Sequence, residues 1–285
     1  MTIVPLDGGL SLNVERMGSG PPLVLLHGFT GSAMSWGPLA EMLAARSTVL
    51  ALDIVGHGAS GKPDELAPYA IDRAARDAVA AMLAFGFRRA SWLGYSMGGR
   101  LALYVAATIP KAVDRLALIG ASPGLADPEE REARRVADEA LADRIEAEGV
   151  PALVDYWESL PLFETQQRLS AGMRLAIRRG RLANDAGGLA NSLRGMGTGA
   201  QPALHDQLAN LEAPALLLAG ARDAKFAAIA REMEAAMPNA RAQLVPDAGH
   251  AAHIEKPAYC ARTITAFLEE GARERSDGGS LGAGR

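Results

Sequence analysis

Three residues of this chain carry side chains that can act together in proton transfer or nucleophilic attack: Ser96, Asp223 and His250. Ser96 lies in Gly94-Tyr95-Ser96-Met97-Gly98, between an apolar run that reads as a buried strand, residues 90–93, and a stretch rich in helix formers, residues 100–106. So short a join between strand and helix is a sharp turn, and the flanking glycines remove the Cβ atoms that would clash there. The serine hydroxyl is then presented at the carboxyl edge of a sheet. A hydroxyl is a weak nucleophile or base until another group draws its proton. A neutral imidazole does so when a carboxylate fixes its tautomer and favours the charged state that results. Asp223, in Gly220-Ala221-Arg222-Asp223, and His250, in Pro246-Asp247-Ala248-Gly249-His250, each follow an apolar run and so fall in loops at strand ends. Alone, either would read as a turn former. With Ser96 ahead of them in the chain they read as one catalytic system.

The elements that would position them follow from hydrophobic patterning. Residues 23–26, 48–52, 116–119 and 215–219 are continuous apolar runs, the pattern of strands covered on both faces, and 242–245 is a further candidate. Helix-like stretches such as 71–85 and 226–237 lie between them. This alternation predicts an α/β protein with a mostly parallel central sheet and helices on both faces. The order Ser96, Asp223, His250 is that of the α/β-hydrolase fold. The alternation breaks between residues 123 and 201, where charged helical segments run on without a convincing strand. That segment predicts a helical cap inserted into a core of residues 1–122 and 202–270. Residues 271–285 are polar and rich in glycine, and they predict a disordered tail.

In such a fold, negative charge on a reacting oxygen is met by the backbone N–H after the nucleophile and by another from the loop after an early strand. Met97 and Phe29 hold those places, Phe29 within His27-Gly28-Phe29-Thr30-Gly31. A plain strand-end turn would carry the same residues, and only geometry separates the two.

Composition excludes more than it assigns. The 285 residues are 49% hydrophobic, enough for one large α/β domain or for one domain with an insertion. A net charge of -4 with evenly scattered ionic residues gives no basic stripe, so no nucleic-acid partner is expected. Residues 1–10 lack the basic start and apolar core of a secretory signal, and no later run approaches a bilayer span. The expectation is a soluble cytoplasmic protein without a membrane partner. Cys260 stands alone and is expected to be a small core residue of an amphipathic helix. His57 precedes the serine and is expected to fix a loop; His205 and His253 are expected to be structural or to lie at the rim. No spacing of histidines and carboxylates matches a zinc site, so neither metal nor cofactor is expected. Oligomeric state is left open.

Over about residues 20–270 the chain resembles the α/β-hydrolase superfamily, and several stretches narrow the likeness. Gly94-Tyr95-Ser96-Met97-Gly98-Gly99-Arg100, with arginine directly after a glycine pair, is similar to the elbow of the 2-succinyl-6-hydroxy-2,4-cyclohexadiene-1-carboxylate synthase family of menaquinone biosynthesis. Ala121-Ser122-Pro123-Gly124-Leu125 leading into Glu130-Arg131-Glu132-Ala133-Arg134 is similar as well. So are Tyr156-Trp157-Glu158-Ser159-Leu160-Pro161-Leu162-Phe163, Ser192-Leu193-Arg194-Gly195-Met196-Gly197-Thr198-Gly199 and Gly220-Ala221-Arg222-Asp223-Ala224-Lys225-Phe226.

The resemblance implies a lyase that eliminates pyruvate from a cyclohexene bearing a succinyl group and an enolpyruvyl ether, with the triad as a base system and no acyl-enzyme. Such a small-molecule substrate carries three carboxylates, which planar guanidinium groups hold through paired hydrogen bonds. By the resemblance Arg100, Arg134 and Arg181 are their ligands, with Tyr95 and Trp157 lining the pocket. Neighbours leave two assignments open: Arg135 in place of Arg134, and Arg178 or Arg179 in place of Arg181. The alternative activity is a hydrolase of the same fold acting on carboxylic esters or on carbon–carbon bonds of ring-cleavage products, for which the triad would look the same.

Overall fold

The continuous apolar runs become the interior strands of a single sheet. The computed structural model describes residues 1–279, with side chains through residue 270. Strands β1 (Thr2–Pro5), β2 (Ser11–Met17), β3 (Pro22–Leu26), β4 (Thr48–Leu52), β5 (Ala90–Tyr95), β6 (Val113–Ile119), β7 (Ala215–Gly220) and β8 (Ala240–Val245) form it in the order β1-β2-β4-β3-β5-β6-β7-β8. The strands from β3 onward pair in parallel, and β1 and β2 add an antiparallel edge. The sequence patterning did not single out β1 and β2. β1 is largely exposed, and β2 carries polar residues such as the buried Asn13 and the half-buried Glu15, so neither is a continuous apolar run.

Side chains alternate between the faces of each strand, and the two sets meet different helices. Val24, Leu26, Leu50, Leu52 and Trp92 face α2 (Ile71–Ala84), α3 (Met97–Thr108) and α7 (Ala224–Ala236). Leu23, Leu25, Val49, Leu93 and Ile119 face α1 (Gly37–Ala44), the short α8 (Ala252–Glu255) and α9 (Pro257–Gly279), where Cys260 is fully buried. Each buried leucine or valine contributes roughly 1.5–3 kcal/mol relative to exposure, so the two faces together hold the loop ends in place.

Between β6 and β7 the chain leaves the sheet and forms α4 (Pro128–Ser159), α5 (Ala171–Leu182) and α6 (Ala186–Met196). Asp127 caps α4 by accepting the N–H groups of Glu129 and Glu130, and the helix breaks at Gly149, whose φ of 82° precedes Pro151. Of these, α4 and α6 share a small core of their own, including Ile145, Leu153, Val154, Leu189 and Leu193, against which Phe29 and Trp157 pack.

At the other end, the helical backbone of α9 continues past residue 271, where the sequence predicts a disordered tail. Ala272, Arg273, Glu274 and Arg275 extend a helix that is already nucleated, which costs little per residue. Residues 280–285 of the expected tail lie outside the described residues. No helix among the described residues is long and apolar enough to cross a membrane.

Candidate active site

Ser96 sits at the tip of the turn from β5 to α3 with φ of 50°, a left-handed conformation for a non-glycine residue. The turn is held by Ser96 N–H donating to Ile119 O at 2.9 Å and by Arg100 N–H donating to Ser96 O at 3.0 Å. A Cβ on Gly98 would overlap the carbonyl oxygens of Leu26 and His27, so glycine is what lets α3 start directly against the end of β3.

Asp223 and His250 arrive from the ends of β7 and β8. Asp223 caps α7 through Oδ1, which accepts the N–H of Phe226 at 3.2 Å, and its Oδ2 faces the imidazole of His250 at 2.8 Å from Nδ1. An ionised carboxylate only accepts, so Nδ1 carries the proton and Nε2 is free to accept from the Ser96 hydroxyl at 3.0 Å. His250 is 2% exposed and Asp223 8%. Three side chains distant in the sequence thus form one hydrogen-bonded line at the carboxyl edge of the sheet.

Two supports for that line carry no motif of their own. Gly249 N–H donates to Glu255 Oε2 at 2.9 Å, and the hydroxyl of Thr165 donates to the other oxygen of Glu255 at 2.9 Å, which ties the His250 loop to the inserted helices. Around the imidazole pack Phe226, Tyr95 and Phe163, with ring centroids at 4.4, 5.4 and 6.1 Å.

The loop after β3 passes beside the nucleophile: a Cβ on Gly28 would lie 3.5 Å from Ser96 Cβ and 2.7 Å from the ring of Tyr95. Phe29 follows on that loop. Met97 is the first residue of α3, and its N–H is among those that have no carbonyl partner within a helix.

A cavity of about 260 Å³ opens between the loop after β3 and the inserted helices; Ser96, Asp223 and His250 are not among its lining residues, but Gly28 and Tyr95, which lie against Ser96 and His250, are. Phe29, Tyr95, Trp157, Phe163, Gln166 and Arg181 are among the residues that line it. Phe29 meets Trp157 edge-on and Trp157 meets Phe163 at a tilt, with ring centroids at 5.2 and 5.8 Å. Among the described residues lining it, Arg181 is the one charged side chain. Its Nη1 donates to Glu158 at 3.1 Å and its Nη2 to Gln166 Oε1 at 3.2 Å, while the guanidinium lies over Phe163 at 5.2 Å. Burial lowers the Arg181 pKa from its ordinary value, and Glu158 opposes that shift. Burial likewise pushes the Tyr95 phenol well up, with Arg181 acting in the other direction.

The other candidate arginines separate. Arg178 bridges Asp155 and Glu158, and Arg179 is exposed, so neither takes the place of Arg181 at the cavity. Arg135 pairs with exposed Glu132, whereas Arg134 pairs at 2.7 Å with buried Asp138. Arg100, one turn from Ser96, donates to Met196 O at 3.0 Å and to Gln201 Oε1 at 2.5 Å. Burial, reinforced by the charge of Arg134, pulls Arg100 down to about 10, so it is still a cation at neutral pH. Arg100 and Arg134 are therefore neighbours, and neither is among the residues lining the cavity beside Arg181.

His253 lies inside rather than at the rim. It is 3% exposed, 4.3 Å from Tyr95 and 5.0 Å from Trp36 between ring centroids, and burial pulls it down to about 3, so it is neutral. His57 is buried against His27 and Phe29. Among the described residues, no group of three or more His, Cys, Asp and Glu is placed to hold a metal ion.

Comparison with known proteins agrees with this fold. The family model described as the alpha/beta hydrolase fold matches residues 21–257. A Bacillus subtilis protein provisionally named 2-succinyl-6-hydroxy-2,4-cyclohexadiene-1-carboxylate synthase is 43% identical over 246 residues, 86% of this chain and 89% of that protein. The Serratia proteamaculans protein of the same name is 33% identical over 87% of this chain and 93% of its own. The solved structure of MenH from S. aureus superposes with a TM-score of 0.87 at 31% identity, covering 92% of this chain and 98% of that one. The chain belongs to the α/β-hydrolase fold family and, within it, to the 2-succinyl-6-hydroxy-2,4-cyclohexadiene-1-carboxylate synthases.

Proposed function

We propose that this enzyme eliminates pyruvate from 2-succinyl-5-enolpyruvyl-6-hydroxy-3-cyclohexene-1-carboxylate to give 2-succinyl-6-hydroxy-2,4-cyclohexadiene-1-carboxylate, a step of menaquinone biosynthesis. The single observation that carries the mechanism is the Ser96–His250–Asp223 line, at 3.0 and 2.8 Å, beside a cavity whose one charged wall is Arg181. His250 Nε2 draws the hydroxyl proton of Ser96, and Ser96 Oγ takes the proton from the ring carbon that bears the succinyl ketone. The electron pair shifts through the ring double bond and breaks the bond from carbon to the enolpyruvyl oxygen. The departing enolpyruvate gains a proton at its methylene carbon and becomes pyruvate.

Charge that builds on the ketone oxygen is met by the N–H groups of Phe29 and Met97. Asp223 holds the imidazole in the accepting tautomer and stabilises it once charged. Arg181, Tyr95 and Trp157 hold one end of the substrate, and Arg100 with Arg134 take up a further carboxylate near α3 by giving up their bonds to Gln201 and Asp138. Residues 123–201 act as a cap over a core of residues 1–122 and 202–270, which limits access of water to the intermediate. A soluble polycarboxylate substrate that does not cross a bilayer unaided supports a cytoplasmic reaction.

The test is to add the enolpyruvyl substrate to purified protein and follow pyruvate and the diene chromophore, with Ser96→Ala as control. Rapid turnover of simple aryl esters without pyruvate release would return the enzyme to the hydrolases.

A further inference from the structure

Asn184 joins α5 to α6 and touches three separate parts of the molecule. Its Nδ2 donates to the carbonyl of Thr30 at 2.8 Å and to that of Arg181 at 3.2 Å, and its Oδ1 accepts the N–H of Gly58 at 3.2 Å. Its backbone N–H also donates to Arg181 O at 3.2 Å. The residue is 9% exposed, so water does not readily replace these bonds. A primary amide supplies donors for two carbonyls and an acceptor for an N–H at once; neither a carboxylate nor an apolar side chain does.

Thr30 follows Phe29 and holds φ of 65°, a conformation that a β-branched residue avoids. Such a conformation persists only where its surroundings over-determine it. On the core side, His27 Nε2 accepts the N–H of Ile54 at 3.0 Å, so Nδ1 carries the proton and donates to Gly28 O at 2.8 Å. On the other side the bond comes from Asn184. The loop that carries the Phe29 N–H is thus pinned both by the sheet and by the inserted helices, and the same amide caps the turn of α5 that bears Arg181.

We propose that Asn184 is a positioning residue that links Arg181 to the oxyanion loop, so that a carboxylate held by the first and a charge met by the second sit at a fixed separation. The proposal rests on the roles given above to Arg181 and Phe29. The side chain touches neither substrate nor reacting atoms; it acts through the carbonyls of Thr30 and Arg181.

Two readouts separate this role from general stability and from the assigned reaction. One is pyruvate release from the enolpyruvyl substrate. The other is the rate at which phenylmethylsulfonyl fluoride sulfonylates Ser96, which reports on the nucleophile and the oxyanion loop whatever the natural substrate. In Asn184→Leu, kcat and the sulfonylation rate both fall about tenfold or more, and KM rises, with native circular dichroism. In Asn184→Asp, the ionised carboxylate has no hydrogen to give Thr30, whereas its protonated form does. The ratio of the variant's sulfonylation rate to that of wild type therefore rises as the pH falls from about 8 to about 5.5.

Wild-type sulfonylation by a folded Asn184→Leu protein, or a change confined to KM, overturns the proposal. If Asn184→Leu does not fold, the Asn184→Asp ratio decides, and a ratio independent of pH counts against it. Slower sulfonylation in the variants beside a wild type that releases no pyruvate would leave the positioning role standing and remove the lyase assignment.

Discussion

Gly120 and His250 are in contact across the carboxyl edge of the sheet: a Cβ on Gly120 would lie 2.9 Å from Cε1 and 3.0 Å from Nδ1 of the imidazole. Gly120 also has φ of 57°, at the end of β6, so an added side chain meets both a strained backbone and the catalytic ring. Gly120→Ala is expected to tilt His250 away from Ser96 and lower kcat about 100-fold, because a displacement on the order of 1 Å is enough for that. Thermal melting should show a loss of roughly 1 kcal/mol or more from the backbone strain alone. Wild-type kcat in this variant would show that the imidazole tolerates displacement.

Removing the hydroxyl tests the centre of the hydrogen-bonded line. Ser96→Ala should lower pyruvate release by about 10⁴-fold or more while leaving substrate affinity, read by calorimetry, within a few-fold of wild type. His250→Ala should cost a similar amount, and the double variant little more, since the two act as a unit. Additive losses in the double variant would mean that the two residues work separately.

Arg181 and Arg178 lie close together in the sequence and differ in what they face. Arg181 is buried at the cavity, whereas Arg178 is partly exposed and paired with Asp155 and Glu158. Arg181→Ala should raise KM by roughly 10- to 100-fold, the loss of one charge-assisted pair. Arg178→Ala should change it less than about threefold, as expected for a surface ion pair. Steady-state kinetics on the two proteins would decide, and equal effects would contradict the assignment.

Burial lowers the pKa of three histidines, His27, His57 and His253, which makes stability depend on pH. Burial, with a lesser push from His27 and His250 respectively, pulls His57 and His253 from 6.5 down to about 3. In the unfolded chain both take up protons at the ordinary value, so between pH 6.5 and about 3 the unfolded state binds more protons than the folded one. Their contribution is whole above pH 6.5 and is lost as the pH falls through that window, at up to about 1.4 kcal/mol per pH unit for each histidine. From about pH 7.5 to about pH 5, wild type should lose roughly 2 kcal/mol more stability than His253→Phe in urea titrations. Identical losses would mean that His253 is already protonated in the fold.

How much was legible in the sequence depended on whether the signal was local. The strands β3 to β7 stand out because strands buried on both faces need apolar runs, and β8, a partly buried edge strand, stands out less. β1 and β2 do not, because polar and apolar residues mix in them: β1 is a largely exposed edge, and in β2 the polar Asn13 is buried to donate to Asp53 at 3.0 Å. The elbow was visible because a sharp turn dictates its own glycines, and Asp223 and His250 because strand order fixes where loops at one sheet edge recur. The glycine at position 120 and the roles of Glu255 and Asn184 left no such mark.

By itself, then, the sequence determined the interior strands, their alternation with helices, the order of Ser96, Asp223 and His250 and the helical segment between β6 and β7, all set by short-range patterning and chain order. Tertiary structure alone decided that Arg181 rather than Arg178 or Arg179 lines the cavity, that Arg134 rather than Arg135 pairs with the buried Asp138, and that His253 packs against Tyr95. Neighbouring residues on a helix differ by about 100° in direction, so which of them meets the cavity is fixed only when that helix packs against the sheet. The same packing brings Asn184 to Thr30 across 154 residues of chain, a contact that no local pattern encodes.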